Sequence, residues 1–249
     1  MAFIDKFSDY SDLYARARPV YPDTLFDAIA RDLPGRNLAW DCGTGNGQAA
    51  VRLAKYFDQV HATDPSPQQI GNAVRVANVD YRIGQAEECD LPSQSVDLIL
   101  VAQALHWFDR DRFYSEAHRV LKTNGRLAVI GYDWFYITPE IDQTVWETLL
   151  GPIRPFWAKN DLLVFDGYRS IEFPFTEVPV PAVAFHLEWD LQQLISYICS
   201  LSSTRAAIRE LGDQFVHHAQ SELERSWGDG SSKRRVVMPL HIRCGRLDH

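Results

Sequence analysis

Cysteine is scarce in this chain: Cys42, Cys89, Cys199 and Cys244 are the only four in 249 residues. No two of them form a Cys-x-x-Cys pair and no histidine lies at zinc-finger spacing from them, which argues against a structural zinc and against a disulfide framework. Positive charge is also in deficit. With 25 Lys and Arg against 33 Asp and Glu, the net charge of −8 opposes the phosphate-neutralising contacts on which nucleic-acid binding depends. The one dense basic run, Lys233-Arg234-Arg235, sits between a Gly-rich turn and an apolar stretch, as a solvated strand edge does. Long apolar runs are missing too. None approaches membrane-spanning length, and Asp5, Lys6, Asp9 and Asp12 break up the N-terminus before any signal-like apolar region. These absences lead to the expectation of a cytoplasmic protein with reduced thiols, no membrane association and no nucleic-acid partner. His217-His218 falls on an amphipathic segment with no third ligand in view, so no metal site is expected.

What is present is enough apolar sequence, 46% of residues, to bury a sizeable core. Short apolar runs alternate with helix-period segments from Asn37 to about Gly131, the pattern of βαβ units feeding a parallel sheet. Strands are expected at Leu38 to Trp40, Val60 to Thr63, Tyr81 to Ile83, Val96 to Val101 and Leu127 to Ile130. Ser66 offers an N-cap and Pro67 an N1 proline for one helix. Asp109 caps another, with Phe113, Ala117, Val120 and Leu121 on one stripe and the Asn124-Gly125 turn as its stop. Upstream, a helix opens at Pro22 and Asp23 and is expected to end at Pro34-Gly35. Downstream, an extended segment covers Phe173 to Leu187, a helix runs from about Thr204 to Trp227, and Val236 to Ile242 reads as a last strand. The fold class that follows is α/β, with a Rossmann-like seven-stranded, mostly parallel sheet, one antiparallel strand and helices on both faces. A single domain over 1–249 is expected: an N-terminal flap and helix (1–36), a cofactor-binding core (37–131), and a substrate-side insertion carrying the last two strands (132–249).

The chemistry concentrates at three strand ends. After the first strand comes Asp41-Cys42-Gly43-Thr44-Gly45-Asn46-Gly47, a glycine turn that lets a ligand approach the backbone closely. A nicotinamide fingerprint needs a small third residue where Gln48 stands. A carboxylate two positions before the first glycine also gives nothing to an arriving pyrophosphate, whereas it suits a ligand carrying an ammonium and a sulfonium. After the second strand, Asp64 can accept hydrogen bonds from both ribose hydroxyls, with Pro65 beside it; the bland reading is a turn cap. After the third, Gly84-Gln85-Ala86-Glu87 lies where an adenine edge would sit.

In these motifs the sequence resembles the class I S-adenosylmethionine (SAM)-dependent methyltransferases, in particular the small-molecule group with the type 11 domain that includes trans-aconitate methyltransferase-like proteins. Four stretches carry the resemblance, over residues 7 to 131: Tyr14 to Pro22, Asp41 to Gly47, Gly84 to Asp97, and Ala102 to Asp109. It implies SAM as cofactor, with Asp41, Gly43, Thr44 and Gly45 around the methionine moiety. Asp64 and Pro65 would then lie at the ribose, Gln85 and Ala86 at the adenine, and Ala102 and Gln103 beside the sulfonium. Tyr14 and Arg18 would fold over the cofactor. Gln85 departs from the Asp common at that position in the wider fold, although an amide oxygen also accepts a hydrogen bond.

His106 is the candidate catalytic residue, as a general base or substrate orienter, against the bland reading of a loop-holding histidine. The partner implied is a small molecule. If its acceptor is a carboxylate no base is needed, and Arg154, Arg169, Arg205 or Arg209 offer the guanidinium to clamp it. The aromatic stretch from Trp134 to Trp157 suits a substrate roof or core packing equally. The rival readings are a catalytically silent SAM-binding module and, disfavoured by Gln48, a nicotinamide oxidoreductase.

Overall fold

The computed structural model describes residues 19–132 and 134–247. Strands β1 (Leu38–Cys42), β4 (Val96–Ala102) and β5 (Leu121–Gly131) are buried along most of their length, as parallel strands covered by helices on each face must be. Their side chains divide between two cores. Ala39, Leu98 and Leu100 face one, while Trp40, Cys42, Ile99 and Val101 face the other. With β2 (Gln59–Asp64), β3 (Val79–Ile83), β6 (Thr176–Glu177) and β9 (His241–Arg246) they form a seven-stranded sheet in the order β3-β2-β1-β4-β5-β9-β6. Every pairing is parallel except the two that β9 makes, with β5 and with β6. The chain moves outward one way from β1 to β2 and β3, then crosses to β4 and β5. The carboxyl ends of β1 and β4 therefore form the switch point at which open α/β sheets bind ligands.

Helices α1 (Asp23–Ile29), α2 (Gln48–Leu53), α3 (Pro67–Gly71) and α4 (Arg110–Val120) flank this core. Two of their starts follow from the sequence chemistry. The Ser66 hydroxyl accepts the Gln69 amide at 3.3 Å, and Asp109 accepts the Arg112 amide at 3.4 Å. Beyond β5, α5 (Pro139–Val145) continues through a π-helical turn, Trp146–Leu150, into a further helical turn, Gly151–Ile153, and a 3₁₀ turn, Arg154–Phe156. Next come α6 (Asp161–Phe165), β7 (Ala184–Trp189), α7 (Leu191–Cys199), α8 (Ser202–Leu211), α9 (Gln214–Trp227) and β8 (Arg234–Pro239), with β7 and β8 paired as a separate ribbon.

Four expectations from the sequence shift. Helix α1 ends at Ile29, before Pro34-Gly35, because the chain turns at Asp32, whose φ is 56°. Helix α4 ends at Val120: Leu121 is already extended and pairs with Val96, and the turn residues Lys122 to Gly125 form an irregularity within β5. The segment Thr204 to Trp227 is two helices. Gly212, at φ 79°, stops α8 before α9 begins, and Leu211 at the break is 56% exposed. The apolar run Val236 to Ile242 serves two sheets, leaving the ribbon at Leu240 to join β5 as β9. Within the basic run, Lys233 and Arg235 are exposed, but Arg234 turns inward, its Nη2 2.6 Å from the Trp227 carbonyl. Among the described residues no helix is long and apolar enough to cross a membrane.

Candidate active site

The turn after β1 is built from backbone. The amides of Gly43 and Thr44 both donate to the Thr63 carbonyl at 2.9 Å, which draws the turn against the end of β2. Gly43, Gly45 and Gly47 all have positive φ, but their surroundings differ. A Cβ on Gly43 would come within 2.6 Å of Ala104 Cβ, and one on Gly47 would overlap the Tyr81 hydroxyl. On Gly45 the same atom would meet only Gln69 Oε1, at 3.9 Å. Two glycines therefore admit protein, and Gly45 leaves open room.

Asp41 lies fully buried under this turn. Its Oδ2 accepts the Thr44 hydroxyl at 2.5 Å, while Oδ1 has no partner among the described residues. Burial pushes the carboxyl up to about 7, against the pull of the Thr44 hydroxyl and the nearby Ala50 amide, with the Asp64 charge adding to the rise. A cationic ligand group would relieve that cost. Asp64, half-buried at the end of β2, accepts the Gly45 amide on Oδ2 and the Ser66 amide on Oδ1, each at 2.9 Å. It is therefore a turn-former whatever else it does. Pro65 is half-buried beside it.

At the end of β3, Gln85 is exposed and bridges to Glu88, while Ala86 is buried. Glu87 accepts the Asp109 amide at 2.8 Å, tying this loop to the start of α4. At the end of β4, Ala102 and Gln103 are half-buried. Gln103 holds φ 56°, a conformation that costs a non-glycine residue about 1 kcal/mol or more. It is kept there by its amide on the Ile130 carbonyl at 2.8 Å and its side-chain amide on the Tyr132 carbonyl at 2.7 Å. His106 follows in a 3₁₀ turn, Leu105–Trp107. Its Nδ1 lies 2.9 Å from the Tyr168 hydroxyl, and burial holds the imidazole down at about 4.

The structure thus brings Asp41, Gly43, Thr44, Gly45, Asp64, Pro65, Gln85, Ala86, Ala102, Gln103 and His106 to the carboxyl edge of four adjacent strands. Tyr14 and Arg18 lie outside the described residues. Sequence reasoning missed Gln69, whose side chain reaches the tip of the glycine turn, and Tyr168, 62 residues from its partner. Trp134 is the hub of the downstream aromatic group. Its ring lies 5.5 Å from Phe165, 5.6 Å from Trp157 and 6.2 Å from Trp146, which stays 44% exposed.

The donor set fits SAM. An orphaned, buried carboxylate oxygen and open space at Gly45 match the cationic methionine portion better than a diphosphate, which Asp41 would repel. A parallel sheet whose first two strands end in carboxylates around a glycine turn defines the class, a Rossmann-like enzyme of the nucleoside-cofactor type.

Comparison with known proteins narrows that class. The type 11 methyltransferase domain family matches residues 40–129. A Dictyostelium discoideum protein described as a methyltransferase is 37% identical over 240 residues, which is 93% of this chain and 90% of that protein. A solved structure from Anaeromyxobacter dehalogenans, described as a type II methyltransferase, superposes with a TM-score of 0.88 at 36% identity, over 93% of this chain and 99% of that one. A Saccharomyces cerevisiae protein described as a SAM-dependent methyltransferase is 33% identical over 136 residues, 51% of this chain and 45% of its own length. The chain belongs to the class I SAM-dependent methyltransferases. The likeness to trans-aconitate methyltransferase-like proteins is carried by the sequence motifs alone.

Proposed function

We propose that this enzyme binds SAM across the ends of β1 to β4 and transfers its methyl group to a carboxylate oxygen of a small molecule. The buried Asp41 would face the ammonium of the methionine portion, with Gly43, Thr44 and Gly45 lining it. Asp64 and Pro65 would hold the ribose, Gln85 and Ala86 the adenine, and Ala102 and Gln103 the region of the sulfonium. When bound, the cofactor supplies a methyl group already activated on sulfur. The protein's part is then alignment and exclusion of water, and proximity alone is worth roughly 7 to 11 kcal/mol of a barrier.

The observation that carries the acceptor class is the state of His106. An imidazole held down at about 4 by burial is a poor base at neutral pH, whereas a carboxylate is ionised there and needs none. Of the arginines offered as clamps, Arg169 donates to the Asp166 carbonyl and Arg205 to the Ser200 carbonyl. Arg154 and Arg209 are exposed, and the turn holding the first packs against α8, which carries the second. These two are the proposed carboxylate partners.

The test is transfer of labelled methyl from SAM to a panel of mono-, di- and tricarboxylic acids, trans-aconitate among them, alongside phenols and amines. The reading expects label in a base-labile ester. Label appearing only in an ether or a methylamine contradicts it.

A further inference from the structure

We propose that His106 serves the reaction as a hydrogen-bond donor to the anionic acceptor, through Nε2–H, and that Tyr168 is the positioning residue that fixes it in that tautomer. The role toward the acceptor rests on the carboxylate reading above; the tautomer assignment does not.

The Tyr168 side chain is buried, the residue being 1% exposed, and the single hydrogen bond of its hydroxyl among the described residues is to His106 Nδ1 at 2.9 Å. Two arrangements satisfy that distance. If Nδ1 carried the proton, the imidazole would donate and the phenol hydrogen would be left buried with no acceptor, which costs free energy. If the phenol donates, its hydrogen is used and so is the Nδ1 lone pair. In a neutral imidazole the proton must then sit on Nε2. Burial of His106 keeps the ring neutral through the physiological range. No hydrogen bond occupies Nε2 among the described residues, and Nε2 is not one of the fully buried, unpartnered side-chain atoms, so its hydrogen can meet solvent or substrate where the phenol hydrogen could not.

The position suits a donor aimed at substrate. His106 sits two residues beyond Ala104, which is pressed against Gly43 of the cofactor turn. The fold also spends several features on placing the Tyr168 ring. Tyr168 has φ 59° and follows Gly167 at φ 67°, a pair in the left-handed region. Gly131, at the end of β5, has no Cβ where one would come within 2.9 Å of the Tyr168 ring. From β9, Arg243 donates to the carbonyls of Tyr168 and Ile171 at 2.8 Å and pairs with Glu177. The His106 and Tyr168 rings lie nearly parallel, 24° apart, with centroids at 6.1 Å. Non-glycine residues held at positive φ cluster at functional sites, where surrounding contacts determine them.

The first experiment uses the full chain labelled with ¹⁵N-histidine. Two-bond proton–nitrogen correlations of His106 should show a single neutral tautomer protonated at Nε2 from about pH 5 to 8. In Tyr168→Phe the Nδ1–H form should gain population. A wild-type ring protonated at Nδ1, or one that titrates within that range, overturns the assignment whatever the acceptor proves to be.

The second uses trans-aconitate as the acceptor probe. A glutamine amide donates near the position of Nε2 but takes up no proton. His106→Gln should therefore keep kcat/KM within about tenfold of wild type, while His106→Leu loses about ten- to hundredfold more, mainly in KM, the worth of one hydrogen bond to a charged group. Affinity for S-adenosylhomocysteine should be unchanged in both. Equal inactivity of the two variants overturns the donor role. Absence of wild-type turnover of trans-aconitate and of every other carboxylic acid in the panel, with the Nε2–H tautomer intact, overturns the carboxylate reading and the acceptor role with it, and leaves the positioning by Tyr168 standing.

Discussion

Gly45 donates its amide to Asp64 Oδ2 at 2.9 Å, so the tip of the glycine turn after β1 is tied to the carboxylate that ends β2. From sequence, Asp64 had two competing readings, ribose ligand or turn cap. The structure shows the cap, through Gly45 and Ser66, and a carboxylate's capacity of about four acceptor contacts leaves the two roles compatible.

Asp64→Ala is accordingly expected to do two things. Loss of a capping contact should cost about 1 kcal/mol, a fall of roughly 2 to 4 °C in Tm. Loss of even one charged bond to a ribose hydroxyl, worth roughly 1.5 to 3 kcal/mol, should weaken S-adenosylhomocysteine at least tenfold. Calorimetry and thermal melting on one preparation check both. A lower melting temperature with unchanged affinity means that Asp64 only shapes the turn.

Asp41 predicts a pH dependence. Its folded pKa of about 7 lies above the ordinary 3.8, so the folded apo protein holds a proton that the unfolded chain releases. Between about pH 4 and 7 this group therefore makes stability fall as pH rises. A cationic ligand needs the ionised form. Affinity for S-adenosylhomocysteine, through its ammonium, should be full above pH 7 and decline below it, and Asp41→Asn should flatten both trends. Titrations from pH 5.5 to 8.5 that show affinity rising on acidification contradict the placement.

The glycines separate packing from binding. In Gly47→Ala the new methyl overlaps the Tyr81 hydroxyl at a position of φ 84°, and overpacking of this kind costs about 1 to 3 kcal/mol. That variant should melt well below wild type. Gly45→Ala meets open space, so only backbone strain of about 1 to 2 kcal/mol applies to stability. Its larger effect should fall on cofactor affinity, and comparing melting temperature with Kd for the two variants tests the assignment.

Much of this was legible in the sequence because it is local. Strands β1, β2 and β4 announce themselves as apolar runs, the Ser66-Pro67 pair marks the start of α3, and Asp41 and Asp64 stand at strand ends where the switch point lies. What was not legible depends on tertiary context. The helical period of Ala207, Ile208 and Leu211 continues into Phe215 and masks the stop that Gly212, with Asp213 after it, makes. Leu121 matches the stripe of α4 because it is buried in the same core as Phe113 and Val120, although it belongs to a strand. The His106–Tyr168 pair joins segments 62 residues apart through the end of β5 and a clamp from β9, and no sequence signal marks it.

The most direct test is calorimetric titration of the purified protein with SAM, S-adenosylhomocysteine and NAD. A site built on a buried carboxylate and a glycine turn should give one-to-one binding of both SAM species, weakened in Asp41→Asn and Asp64→Ala, and no heat with NAD. Tight NAD binding with none to either SAM species would contradict the account at its base.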